Sequence, residues 1–227
     1  MNFYSPTDRN SKDSRPLVIF GAGGHAVSVA NVAISAGYKI KYFVDDNKYD
    51  STLFGFNIIK NIADISNVED YSFSIAVGDN YKRELIYKKL ISINRNLYFP
   101  IIIHKNATIS SFCEIQEGVV VMPNSVVGPA TKLGKFCLIN TKASLDHESR
   151  MMDFSSLAPS VVTGGNVQLG KRTAICMGAV INHGINIGDD CVVGASSFVN
   201  KDIGKNNLCY GIPAKIIRKR NLGEPYL

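Results

Sequence analysis

Three consecutive residues, Asp146-His147-Glu148, set an imidazole between two carboxylates, a combination suited to moving a proton. Imidazole titrates near neutrality, so it can accept a proton from an attacking amine or hydroxyl, and either neighbouring carboxylate can fix its tautomer and steady its charged form. The alternative for His147 is an exposed histidine in a polar turn. Gly165 lies eighteen residues further on, His183 another eighteen, and Lys201 eighteen beyond that. If eighteen residues make one structural turn, the four form a column. It offers a base, an uncluttered backbone N–H for an oxyanion, a second ring and a cation, which together suit acyl transfer. Two turns of stacked strands put the two histidines roughly 10 Å apart, too far to share a metal within one chain. His183 therefore reads as structural or peripheral, and no metal is expected.

A second chemical feature is Gly21-x-Gly23-x-x-Ala26, after an apolar run and before a helix-like one, with Asp45 about twenty residues on. Such glycines let the backbone approach a phosphate, and the following helix N-terminus holds its charge. Any nucleotide diphosphate would serve, and a purely structural turn stays open. The segment before Pro100 is small for the two mononucleotide halves of a full dinucleotide fold, so a nucleotide-linked sugar is favoured over NAD.

The elements that must position these groups differ between the two halves of the chain. From Ile103, steps of six reach Ile109, Ile115, Val121, Val127, Leu133, Ile139, Leu145, Met151, Leu157, Thr163, Leu169, Ile175, Ile181, Ile187, Val193 and Val199, with only Thr163 not aliphatic. A coil of three short strands per eighteen residues explains the period, each strand sending one aliphatic side chain inward. Small residues such as Cys113, Cys137 and Cys191 read as packing positions, and the glycines after the register residues (Gly128, Gly164) as relief for strained corners. The first half alternates strands over 17–20, 40–44, 73–77 and 97–99 with helices over 26–35 and 81–93. The expected fold class is a small Rossmann-like parallel α/β domain (17–100) followed by a left-handed parallel β-helix (101–204). A disordered extension (1–16) and a tail (205–227) flank them.

No apolar run is long enough to span a membrane, and the first residues are polar, so neither signal peptide nor anchor is expected. Five cysteines without a C-x-x-C pair fit a reducing cytoplasm. The net charge of +6 is dispersed except for Lys215, Arg218, Lys219 and Arg220, and no nucleic-acid motif accompanies it.

Several motifs carry a family resemblance: Gly21-Ala22-Gly23-Gly24-His25, Phe43-Val44-Asp45-Asp46, Ala76-Val77-Gly78-Asp79-Asn80, Asn140-Thr141-Lys142-Ala143-Ser144-Leu145-Asp146-His147, Leu157-Ala158-Pro159, Lys201-Asp202-Ile203 and Gly211-Ile212-Pro213-Ala214-Lys215. The chain resembles the bacterial hexapeptide-repeat acyltransferases, which include sialic acid O-acetyltransferases and N-acetyltransferases of UDP- or GDP-linked 4-amino sugars. The resemblance implies an acetyl-CoA-dependent N-acetyltransferase of a nucleotide-linked 4-amino-dideoxy sugar, with O-acetylation of a sugar hydroxyl as the alternative. It implies a homotrimer with acetyl-CoA between neighbouring β-helices. It also implies His147 as base with Asp146 its carboxylate partner, and Gly165 as oxyanion donor. Gly23, Gly24, His25, Asp45, Asp46, Gly78 and Asn80 would meet the nucleotide sugar; Ala158, Lys201, Pro213, Ala214 and Lys215 would meet CoA. The chain departs from the family at Ser156, where histidine is common, at His183, where proline is common, and at Arg150-Met151-Met152.

Overall fold

The computed structural model describes residues 14–226. Four consecutive buried apolar residues, Leu17–Phe20 (β1), read as a central strand because both faces are covered. β1 pairs in parallel with Ile40–Val44 (β2) and, once Ser51–Leu53 (β3) and Phe56–Ile59 (β4) are placed, with Ser72–Ile75 (β5), giving the order β3-β4-β2-β1-β5. β3 and β4 form an antiparallel edge hairpin that the sequence reading does not anticipate. The 97–99 segment supplies only an isolated bridge, Ser72 to Tyr98. Helix Gly24–Ser35 (α1) starts two residues before the expected point, because extended Gly23 caps it. Helix Asn80–Ile93 (α2) starts at Asp79, whose carboxylate accepts from the Lys82 N–H at 2.9 Å.

Residues 1–13 of the expected extension lie outside the described residues. Arg15 and Pro16 belong to the domain: the Pro16 carbonyl accepts from the Ser72 N–H, and the Arg15 guanidinium lies 4.3 Å from the Tyr98 ring centre.

The second half is a left-handed parallel β-helix. Seventeen two-residue strands, from Ile102–Ile103 to Phe198–Val199, each end on a register residue, and parallel pairing stacks them into three sheets. The register side chains fill one interior cluster. The N–H after a register residue donates to the carbonyl of the register residue one coil on, as from Gly128 to Leu145 at 2.7 Å.

Gly118, Gly178 and Gly184 occupy left-handed corners, but the glycines after register residues are present for a reason other than the expected corner strain. The left-handed corner positions recur every six residues from Phe112 to Ser196, and most are not glycine: Lys142, Glu148 and Phe154 have φ near +60°. The glycines after register residues are instead forced by contact. A Cβ on Gly128 would stand 2.6 Å from the His147 nitrogen, and one on Gly170 would stand 2.4 Å from that of Asp189. The small buried side chains also do more than pack. Cys113, Thr131, Cys137 and Thr173 each donate to a corner carbonyl about fifteen residues on.

The α/β domain sits on one face of the prism, with α1 packed over Ile102, Val120 and Leu138. Fully buried Arg83 fastens the contact, donating to the Val77, Gly78, Phe136 and Phe154 carbonyls and to Asn80 Oδ1. Beside it Glu84 meets Lys88, Lys171 and Arg172, and Arg172 pairs with Asp190. The tail begins as strand Asn207–Gly211, which extends the sheet beyond Val192–Val193, and turns back as Ala214–Lys219. Tyr226 then reaches the α/β domain, where its hydroxyl accepts from the Asn80 N–H and donates to the Gly78 carbonyl.

Replacing Arg83 by Met should cost about 3 kcal/mol or more in denaturant unfolding, since it strands several buried acceptors; unchanged stability would show the clamp to be idle. Burial pushes the Glu84 carboxyl up, but hydrogen bonds from Lys171, Lys88 and Arg172 outweigh it and hold its pKa at about 2. Its stabilisation is thus complete above its ordinary value of 4.5 and fades as pH falls from there towards 2. In Glu84→Gln, unfolding followed against pH should lose that part of the acid dependence; an unchanged profile would contradict the pairing.

Candidate active site

His147 stands on the corner between the strands Ser144–Leu145 and Arg150–Met151. Gly128 lies on one side of this corner and Gly165 on the other, and both lack the Cβ that would collide with it. A Cβ on Gly165 would fall 2.3 Å from His147 Nε2, so the ring lies across that glycine. The same gap lets His183 lean in. The two ring centres are 6.2 Å apart, closer than the roughly 10 Å expected from strand spacing alone, because nothing projects between them. The Gly165 N–H donates to no group among the described residues.

The two carboxylates divide their work. Asp146 Oδ1 accepts from the His147 backbone N–H at 2.7 Å, whereas Glu148 Oε2 lies 3.1 Å from ring Nδ1. Thus Glu148 meets the ring and Asp146 shapes the backbone. Nε2 has no hydrogen-bond partner among the described residues, and the ring is 44 % exposed. Glu148 reaches this position with φ +54°, a left-handed conformation that favours glycine.

The glycine turn is closed by Asp45, whose Oδ2 accepts from the Ala22 N–H at 2.9 Å and whose Oδ1 takes that of Asn47. Gly23 and Gly24 are exposed, and a Cβ on either would meet nothing within 4 Å. The N–H groups of Gly24 and His25 open α1 without an internal acceptor among the described residues, and no acidic side chain occupies that first turn. Asp46 is exposed and accepts from the Asn47 amide. Burial, helped by the Arg83 charge, lowers the His25 pKa to about 4, so this ring is neutral at pH 7. Lys48, which sequence reasoning did not single out, brings its ammonium to the Ala22 carbonyl at 3.2 Å.

Gly78 and Asn80 do not share that openness. The Gly78 carbonyl is taken by Arg83 and Tyr226, and Asn80 is buried with its amide on the Arg172 and Thr173 carbonyls. Their groups tie the domains together. Ser156 is likewise buried, on the face beneath the α/β domain, where it meets the Tyr226 hydroxyl.

The remaining expected residues fall into two places. Lys201 is exposed on the His147 corner column, while Ala158 stands at the opposite edge of the sheet containing Ser144–Leu145. Pro213, Ala214 and Lys215 lie at the turn and return strand of the terminal hairpin. One chain therefore does not gather all of them around His147.

Comparison with known proteins places the chain beside sugar acetyltransferases. The family model described as PglD N-terminal domain matches residues 16–90. A solved GDP-perosamine N-acetyltransferase variant from Caulobacter crescentus, in complex with CoA and GDP-perosamine, is 28 % identical with a TM-score of 0.84. The match covers 90 % of this chain and 97 % of that one. The acetyltransferase domain of PglB from Neisseria gonorrhoeae, in complex with acetyl coenzyme A, is 29 % identical with a TM-score of 0.84, covering 90 % and 100 %. The GDP-perosamine N-acetyltransferase of Escherichia coli O157:H7 is 24 % identical over 74 % of this chain and 78 % of its own length. Other curated relatives are longer than the match: the chain spans 57 % of the galactoside O-acetyltransferase of Escherichia coli K12. Over nearly its whole length the chain is thus similar to PglD-type hexapeptide-repeat sugar acetyltransferases, and residues 16–90 match the PglD N-terminal domain.

Replacing Glu148 by Gly relieves the left-handed corner while removing the ring's partner. The melting temperature should hold or rise, and turnover in an acetyl-transfer assay should fall roughly tenfold or more. Full turnover would show that the ring needs no carboxylate at 148.

Proposed function

We propose that this chain transfers an acetyl group from acetyl-CoA to the amino group of a nucleotide-linked 4-amino-dideoxy sugar, by direct attack with His147 as general base. The observation that carries the reading is the His147 ring lying across Gly165, with Nδ1 engaged by Glu148 and Nε2 open. Nε2 takes the proton of the sugar amine as its nitrogen attacks the thioester carbonyl. Glu148 steadies the imidazolium that results, the Gly165 N–H holds the tetrahedral oxyanion, and collapse expels the CoA thiolate. Asp146 keeps the His147 backbone in place throughout. No covalent enzyme intermediate is required.

On the nucleotide side, the open amides of Gly24 and His25 suit a diphosphate, with Lys48 as a further cation and Asp45 holding the loop. Neutral His25 can hydrogen-bond ribose or sugar hydroxyls without adding charge, and the exposed Asp46 carboxylate can accept from such hydroxyls. Gly23 and Gly78 shape the loops.

The geometry also favours a homotrimer with sites shared between copies. The α/β domain covers the face that includes Leu138–Ile139, whereas the His147 corner is the prism edge across from that face. The sheet leading to the His147 corner exposes Val126, Val162 and Val180 in one column, with Ser144 between the first two, a largely apolar face suited to another copy. Packing two such prisms would bring the Ala158 edge and hairpin residues Pro213, Ala214 and Lys215 of one copy towards His147 and Lys201 of the next, with acetyl-CoA between them. Among the described residues no helix is long and apolar enough to cross a membrane.

In His147→Ala, turnover of a nucleotide-linked 4-amino sugar should fall roughly 10²–10⁴-fold, with CoA release as the readout. Near-normal turnover would end the assignment. The matching 4-hydroxy sugar, offered in parallel, should be a poor acceptor; preference for it would point to O-acetylation.

A further inference from the structure

The register column that fills the coil holds one hydroxyl among its aliphatic side chains, at Thr163. The residue is 97 % buried, so its hydroxyl needs a partner, and that partner is the main-chain N–H of Asp146, 3.1 Å from Oγ1.

The contact replaces a bond that the rest of the coil keeps. Along this sheet the Ser110, Gly128, Gly164 and Asn182 N–H groups donate to the carbonyls of Val127, Leu145, Ile181 and Val199 at 2.7 to 2.9 Å. By the same rule the Asp146 N–H belongs on the Thr163 carbonyl. It goes to the side chain instead, and the ladder pair between Leu145 and Thr163 is missing although Ser144 still pairs with Val162. The interruption falls on the residue before His147. From below, the Thr131 hydroxyl donates to the Asp146 carbonyl at 3.3 Å. Asp146 is therefore held at both main-chain groups by threonine hydroxyls, and its carboxylate in turn holds the His147 N–H.

We infer that Thr163 is a positioning residue for the catalytic corner: its hydroxyl takes over one ladder bond and sets where the Asp146-His147 backbone stands against Gly165. A side-chain acceptor gives the corner a different standoff from the next coil than a carbonyl would. Catalytic geometry is sensitive to such offsets, since displacements near 1 Å can cost large factors in rate. An aliphatic residue at 163 would restore the regular column and invite the ordinary ladder bond, drawing the corner into the register of its neighbours.

The inference rests on His147 being the base, so the experiment carries His147→Ala as a reference. Thr163→Val has nearly the same shape and suits an otherwise aliphatic column, so it should keep or raise the melting temperature. Its turnover should nevertheless fall roughly ten- to a hundredfold with little change in either KM, and Thr163→Ser, which keeps the hydroxyl, should recover most of the loss. The His147 ring signals in NMR spectra of the acceptor-free protein should move in Thr163→Val and return in Thr163→Ser, a readout independent of turnover. If His147→Ala is inactive while Thr163→Val matches wild type in turnover and ring signals, the inference is wrong. If His147→Ala stays active, the assignment of the base fails, and unmoved ring signals in Thr163→Val would then overturn the positioning role by themselves. Should Thr163→Val fail to fold, Thr163→Ser with impaired turnover and displaced ring signals would contradict the inference as well.

Discussion

Each coil of this chain rests on the next through backbone hydrogen bonds and one inward side chain per strand, and that stacking sets the place of every other group. Successive coils approach so closely that the residue after several register positions must be glycine: a Cβ at Gly128 or Gly170 would collide with the neighbouring backbone. The same closeness fixes the corners, where ordinary residues such as Lys142 and Glu148 accept a left-handed conformation. That conformation costs about 1 kcal/mol per residue and is offset by the ladder and the buried column. His147 inherits its position from this lattice of contacts. Its ring lies across Gly165 because the coil there presents no side chain, and Glu148 reaches the ring from a left-handed corner position.

The α/β domain is joined to the coil by apolar contacts under α1 and around Phe136 and Phe154, and by a set of buried polar groups. Arg83 satisfies four carbonyls and an amide oxygen from both domains, Asn80 bonds across the junction, and Tyr226 returns from the far end of the chain to the same point. Phe136 and Phe154, which project from coil corners, stack with ring centres 5.2 Å apart and pack beside Tyr87 of α2. A junction of this kind is directional, because each hydrogen bond has one good geometry. It fixes the glycine turn relative to the prism, which matters if the bound sugar must reach an imidazole on a neighbouring copy.

Much of this was legible in the sequence because a six-residue period records the contact that makes the coil. The register from Ile103 to Val199, the strands at Leu17–Phe20 and Ile40–Val44, and the column His147, Gly165, His183 and Lys201 all follow from spacing. What spacing does not carry is direction and partnership. Nothing in the run Asn80-Tyr81-Lys82-Arg83 announces that Arg83 will be engulfed by carbonyls from two domains, nor that Asn80 will face inward. The choice between Asp146 and Glu148 at the ring depends on a backbone angle at 148. The reason for the glycines was equally hidden, since close approach and conformational freedom leave the same residue in the sequence. Thr163 did leave a signal, as the one polar member of its column, but its meaning required the missing ladder bond to be seen.

The arrangement stands or falls on whether an acyl donor comes to the His147 corner, and a crystal structure of this protein with CoA tests that directly. The expected result is a pantetheine arm lying along the corner column with its sulfur beside Gly165, about 4 Å from the His147 ring and close enough for a positioned amine to bridge them. A CoA held elsewhere, with its thiol out of reach of His147 in its own chain and in every neighbouring copy, would contradict it.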